Sequence, residues 1–192
     1  CEGVVAYKMP KGEVTMSIKG ANIRSEMSTQ GHTMAMLMDG QTQTMMMLMP
    51  EQKMYMTMDL KAAREKAKRG EHAPPKITAL GTSETIAGRT CQNYLVETDK
   101  SKMEYCNAKG LGHFMMPQNP MARGPSSDMP DLENDAYRTF FKDGFFPLRM
   151  VRLEGDKRSV MMEATRVEPM PLDAALFTVP AGFTEMKMPG GM

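Results

Sequence analysis

The sequence predicts a mainly β fold, an antiparallel sheet of about ten short strands with two short helices. Three observations carry that prediction. Methionine recurs at every second residue in runs between His32 and Met58, and a period of two belongs to a strand whose alternate side chains share a face. Short segments of strand character follow one another at close spacing, divided by breaks such as Pro10-Lys11-Gly12, Gly20-Ala21, Ala87-Gly88 and Glu154-Gly155-Asp156, which is the pattern of a meander. Helical character is confined to Leu60–Arg69, rich in Ala, Lys and Arg with almost no apolar face, and to Asp131–Lys142.

In chain order, Val4–Met9, Glu13–Lys19 and Asn22–Ser28 read as the first strands. Three methionine runs continue the meander: Met34, Met36 and Met38; Met45, Met47 and Met49; Met54, Met56 and Met58. Asp39-Gly40 is a two-residue hairpin signal, and Pro50-Glu51-Gln52 supplies the next reversal. With Asp39-Gly40 as the turn, Met38 faces Gln41, Met36 faces Gln43, Met34 faces Met45 and His32 faces Met47. With Glu51-Gln52 central to the second turn, Met49 faces Met54, Met47 faces Met56 and Met45 faces Met58. Residues directly opposite in an antiparallel pair share a face, so all nine methionines are expected on one side of three strands.

Asp59 is placed to cap the first helix, which Gly70 closes. Ile77–Ile86, Thr90–Glu97 and Lys102–Asn107 follow as strands, and 109–130 is loose, rich in Gly and Pro. The second helix carries a modest apolar stripe of Leu132, Ala136, Phe140 and Phe141. Phe145–Leu153 and Ser159–Val167 form a last hairpin, and Pro171–Phe177 a turn or single helical turn.

The 192 residues suffice for one β-rich domain, residues 1–192, with a core large enough to need no staple. Lys and Arg number 24 against 23 Asp and Glu. That balance lacks the basic excess of a nucleic-acid binder, so nucleic acid is excluded as a partner. No apolar run is long enough to span a bilayer, and no leader of basic and then apolar character is present, so any signal peptide is expected to have been removed. Methionine is the outlier, with 25 residues and no Trp. It stands where Val and Ile usually would.

Several segments together, YKM near the start, MLMPEQKMYMTMDL, GTSETIAGRTCQNYLVE, GFFPLRMV and LFTVPAGFTEM, resemble a domain-of-unknown-function family of bacterial secreted proteins, similar in predicted fold to the lipoprotein carriers LolA and LolB. The resemblance runs from about Tyr7 to Met186, apart from the 109–130 loop. It implies a strongly curved antiparallel sheet or half-barrel with helices on its concave side, and an extracytoplasmic address: periplasmic, outer-membrane-associated or secreted. It brings no catalytic residues.

Three accounts of the methionine face remain open. It is a closed core, an open groove for a lipid-like or other apolar ligand, or a soft-metal site. The opposite side of the same strands (Thr33, Ala35, Leu37, Thr42, Thr44, Met46, Leu48, Tyr55, Thr57) is the more polar, which turns the methionines inward. Unbranched, polarisable thioethers re-pack around varied ligands, so the groove is the preferred reading. Thioethers also select Cu(I) or Ag(I), with His32, Met34 and Met47, or His113, Met115 and Met116, as candidate ligands. Methionines two apart on a strand stand about 7 Å from one another, and no stoichiometric tight site is expected. No cofactor is expected either.

Cys91 and Cys106 lie on the two arms of a predicted hairpin; a turn centred on Thr98-Asp99 sets them opposite, and in an oxidising compartment they pair. Cys1 is either an acylated lipoprotein terminus, the one route to a membrane, or merely where the numbering starts. His32, His72 and His113 sit in no nucleophile, zinc or phosphate-loop motif, so no enzyme is expected. Glu84, Glu97 and Glu104 read as surface charge paired across the sheet with Lys or Arg. The expected function is non-catalytic binding of a hydrophobic molecule. The rival is structural self-assembly with itself or another envelope protein through Cys1, an edge strand or the terminal MKMPGGM segment.

Overall fold

A computed structural model describes residues 2–29, 31–62, 74–111 and 135–187. Twelve strands form one open sheet: β1 (Glu2–Met9), β2 (Gly12–Lys19), β3 (Asn22–Thr29), β4 (His32–Asp39), β5 (Thr44–Met49), β6 (Met54–Asp59), β7 (Lys76–Ile86), β8 (Arg89–Glu97), β9 (Lys102–Asn107), β10 (Pro147–Glu154), β11 (Lys157–Pro169) and β12 (Thr184–Glu185). Their order across the sheet is β12-β6-β5-β4-β3-β2-β1-β11-β10-β9-β8-β7. The count exceeds the expected ten, chiefly because the two-residue β12 lies parallel to β6, with Thr184 beside Met54 and Glu185 beside Tyr55. Too short to show a period, it is visible only through its partner. The chain divides into two compact units, Cys1–Ala6, Lys11–Gly70 and Glu168–Met192 in the first, Tyr7–Pro10 and Glu71–Val167 in the second.

Turn chemistry explains most of the reversals. Ala87 and Gly88 both take positive φ, 50° and 73°, between Ile86 and its partner Arg89, as a two-residue hairpin of primed type requires. The Asp39-Gly40 turn departs from expectation. The loop contains four residues, 40–43, and Asp39 pairs with Thr44. Asp39 acts through its side chain, whose Oδ1 accepts from the amides of Gln41 at 2.8 Å and Thr42 at 3.1 Å. Gly40 is needed for space. Its amide donates to the Ala21 carbonyl at 3.0 Å, and a Cβ there would stand 2.7 Å from that oxygen.

The first predicted helix begins at Leu60 as expected, whereas the second is seen from Asp135, its expected start at Asp131 and its stripe residue Leu132 lying outside the described residues. Residues 60–62 are helical, capped by Asp59 Oδ1 on the amides of Lys61 and Ala62; the rest of that helix lies outside the described residues. The second is α1 (Asp135–Phe140). Its predicted stripe is displaced: Tyr137 and Phe141 are buried, while Phe140 is 41% exposed.

In the second unit Tyr94 meets Phe141 edge-on at 5.2 Å, Phe141 meets Phe145 at 4.8 Å, and Phe145 meets Tyr105 at 5.5 Å. Asn107 donates to the Gly144 carbonyl and accepts from the Phe146 amide, fixing the approach to β10 against β9. Tyr7 is buried beside Pro147, to whose carbonyl its hydroxyl donates at 3.1 Å. Burial pushes that phenol well above its ordinary range.

The disulfide joins Cys91 to Cys106, with Cα atoms 5.2 Å apart. Its geometry differs from direct opposition. Thr98 and Ser101 close the hairpin, which sets Asn93 against Cys106, so the bridge crosses the ladder diagonally. Cross-strand diagonals remain within reach of one another.

Candidate functional site

The methionine face belongs to the first unit and follows from the ladder. Met38 pairs with Met45, not Gln41, and Met36 with Met47. The wider loop moves each residue's partner by four positions, from Gln41 to Met45 for Met38, an even step, so every methionine stays on the predicted side. The second hairpin has the expected register: Met45 faces Met58, Met47 faces Met56 and Met49 faces Met54. The correction removes His32 from Met47. His32 pairs with Thr29 and places Nδ1 3.1 Å from the exposed Glu51 carboxylate, so His32, Met34 and Met47 are not brought together.

Three cross-strand rows result. The first runs Ile18, Ile23, Met38, Met45, Met58; the second Met16, Ser25, Met36, Met47, Met56. The third contains Val14, Met27 and Met34 on one side, and Met49 and Met54 on the other. The β2 and β3 contributors were legible in principle, because the Gly20-Ala21 turn aligns Met16 with Ser25 and Val14 with Met27. Burial is graded. Met45 and Met16 are fully enclosed, Met38 and Met47 buried, Met36, Met49, Met54, Met56 and Met58 half-buried, and Met34 is 44% exposed.

The reverse side overturns a second expectation. Ala35, Leu37 and Leu48 are among the most buried residues, and Met46, Tyr55, Val179 and Phe183 pack against them. A strap formed by the chain's last described residues therefore makes this side a core as well. Its 3-10 turn, Ala174–Phe177, is capped by Asp173, and Arg24 donates to the Leu176 carbonyl at 3.1 Å. Lys19 donates to the Leu172 carbonyl and to Glu2, whose carboxylate also accepts from the Leu172 amide. Those bonds, first from Leu172 and then from Lys19, hold the Glu2 carboxyl below its ordinary value. Met186 and Thr184 complete the strap by donating to the Tyr55 and Lys53 carbonyls at the edge of β6.

The second unit's carboxylates are paired as read. Glu84 bonds Arg149, Glu97 lies 3.3 Å from Lys102, and Glu104 takes both Arg158 nitrogens at 3.0 Å. Arg149, and secondarily Asn93, hold the Glu84 carboxyl below the usual glutamate range. Cys1, His72, His113, Met115, Met116, residues 112–130 of the loose loop and residues 188–192 of the MKMPGGM tail lie outside the described residues. Among the described residues no three His, Cys, Asp or Glu side chains gather as a metal-binding group, and no helix is long and apolar enough to cross a membrane.

The fold and site define a class: a predominantly antiparallel sheet protein whose first unit displays a thioether-rich face. The chain belongs to the family described as a domain of unknown function (DUF4412), matched over residues 2–183. No curated protein matches it. A solved structure of PNGF-II is similar in fold, at TM-score 0.50 and 12% identity over 95% of this chain, which spans only 30% of the length of that one.

Proposed function

We propose that the protein is a non-catalytic, extracytoplasmic binding protein whose methionine face accepts a lipid-like or otherwise apolar ligand. The observation that carries this reading is the gradient on one face, from the fully enclosed Met45 to the 44% exposed Met34, with half-buried Met36, Met49, Met54 and Met56 between. A closed core has no use for such a rim, whereas flexible thioethers mould themselves to ligands of varied shape. The resemblance to the half-barrel carriers points the same way. The Cys91–Cys106 bridge supports the address, since disulfides persist in oxidising compartments.

Native mass spectrometry of protein purified from its natural source tests the proposal. A monomer carrying releasable lipid is expected, and ligand-free polymers would instead favour self-assembly. Met34→Asp and Met54→Asp place charge on the rim, where they are expected to weaken uptake of an apolar fluorescent probe at least tenfold while the far-ultraviolet spectrum is unchanged.

A further inference from the structure

We propose that Met36, Met47 and Met56 form a three-thioether site for a soft monovalent cation, Cu(I) or Ag(I). Adjacent methionines along a strand are too far apart to share an ion. The ladder supplies what a single strand lacks, because Met47 has Met36 directly opposite on one side and Met56 directly opposite on the other. His32 opposite Met47 would have left this row with two thioethers; the register makes it three.

The geometry is within reach. Directly opposed Cα atoms stand about 4.5–5.5 Å apart, so the outer two backbones of the row are roughly 10 Å from each other. Three sulfurs at about 2.3 Å from a common ion, the length of a zinc–thiolate bond, stand about 4 Å from one another. Each outer sulfur then leans inward by about 3 Å, a span covered by an unbranched side chain with three rotatable bonds. The Met47 sulfur then sits about 3.5 Å off the line between the outer two, a displacement its own three rotatable bonds can supply.

Accessibility selects this row over its neighbours. Met38 and Met45 of the first row are 4% and 0% exposed, which leaves an ion no path to them. In the third row the paired ladder of β4 and β5 stops at Ala35 and Leu48, and Met34 is open to water. Met36 and Met56 are half-buried around a Met47 that is 8% exposed, so an ion can enter and shed its water. Neutral sulfur donors favour Cu(I) and Ag(I) over Zn(II), Mg(II) or Ca(II), which prefer thiolate, imidazole or oxygen. A thioether has no proton to lose, so binding is independent of pH, unlike a site that includes histidine.

The test is a Cu(I) titration of the full chain in a Cys1→Ser background. Ascorbate keeps the copper reduced and the Cys91–Cys106 bridge intact, and bicinchoninate competes for the ion. One ion per chain is expected, with affinity constant between about pH 5.5 and 7.5, the range in which a histidine ligand would titrate. Met47→Leu conserves volume and apolarity and is expected to weaken binding at least tenfold; Met45→Leu, in the neighbouring row, leaves it unchanged. In the Cys1→Ser chain with its methionines intact, one equivalent of Ag(I) is expected to shift the methyl resonances of Met36, Met47 and Met56 together. An endpoint that survives Met36→Leu, Met47→Leu and Met56→Leu combined, a non-integral endpoint, or affinity falling with pH as a histidine protonates would overturn the proposal. Uptake of a fluorescent apolar probe by the chain with its methionines intact and without Cu(I) is read separately from the metal endpoint, so either reading can fail while the other stands.

Discussion

The graded burial of the methionine face sets a quantitative expectation for two substitutions of identical chemistry. Met45→Ala removes a side chain with no exposed surface from between Met38 and Met58. Losing the Cγ, Sδ and Cε atoms forfeits about 2 kcal/mol of transfer free energy at roughly 0.8 kcal/mol per methylene-sized group. The void left in a closed environment adds more, which places the cost within about 2–5 kcal/mol. Met34→Ala removes the same atoms from a site 44% exposed. Only part of the transfer energy is at stake there and little cavity remains, so about 1 kcal/mol or less is expected. Urea unfolding at a common m value gives both costs from the midpoints. Equal costs, or a larger one for Met34→Ala, would refute the assignment of a closed end and an open end to this face.

Two further outcomes follow from the disulfide and the strap. Cys91→Ser with Cys106→Ser opens a loop of sequence separation 15 and is expected to cost about 3 kcal/mol on the chain-entropy account; non-reducing peptide mapping should recover the two cysteines linked, and free thiols at both would contradict the bridge. Glu2 has its carboxyl lowered on folding from the usual 4.5 by the Leu172 amide and then Lys19. Its contribution is therefore full above the unfolded value and lost as pH falls through the folded one. The carboxyl resonance of Glu2 should titrate below 4.5, and hydrogen exchange at the Leu172 amide, corrected for intrinsic rates, should accelerate over the same acid range but not in Glu2→Gln. A midpoint at or above that value would show that the strap is not held this way.

Much of this organisation is legible along the chain. Alternation is a local property, so the sidedness of the nine methionines follows from the sequence whatever the register, provided that any slip is even. The Ala87-Gly88 and Glu154-Gly155-Asp156 reversals, the Asp59 cap and the Cys91–Cys106 pairing are likewise set by residues close to one another or by spacing across one hairpin. The row to which each methionine belongs is different. Asp39-Gly40 has the composition of a two-residue turn, yet Gly40 is claimed by the Ala21 carbonyl of the neighbouring hairpin and Asp39 by the amides of Gln41 and Thr42. The turn therefore widens, and Met47 comes to lie between Met36 and Met56.

The reverse side of the sheet depends even more on distance. Thr33, Ala35, Leu37, Leu48 and Tyr55 alternate with the methionines as an outer surface would, and nothing near them specifies a cover. Val179 and Phe183 provide it from the far end of the chain, fixed by Glu2, Lys19 and Arg24 and by the short parallel pairing of β12 with β6. The sequence by itself determined which residues alternate, which hairpins close and which cysteines pair, because those depend on backbone preferences and short spacings. Only the tertiary structure decided the methionine rows and the second buried face, because contacts between residues remote in sequence chose among registers and coverings that local preference leaves nearly equal in energy.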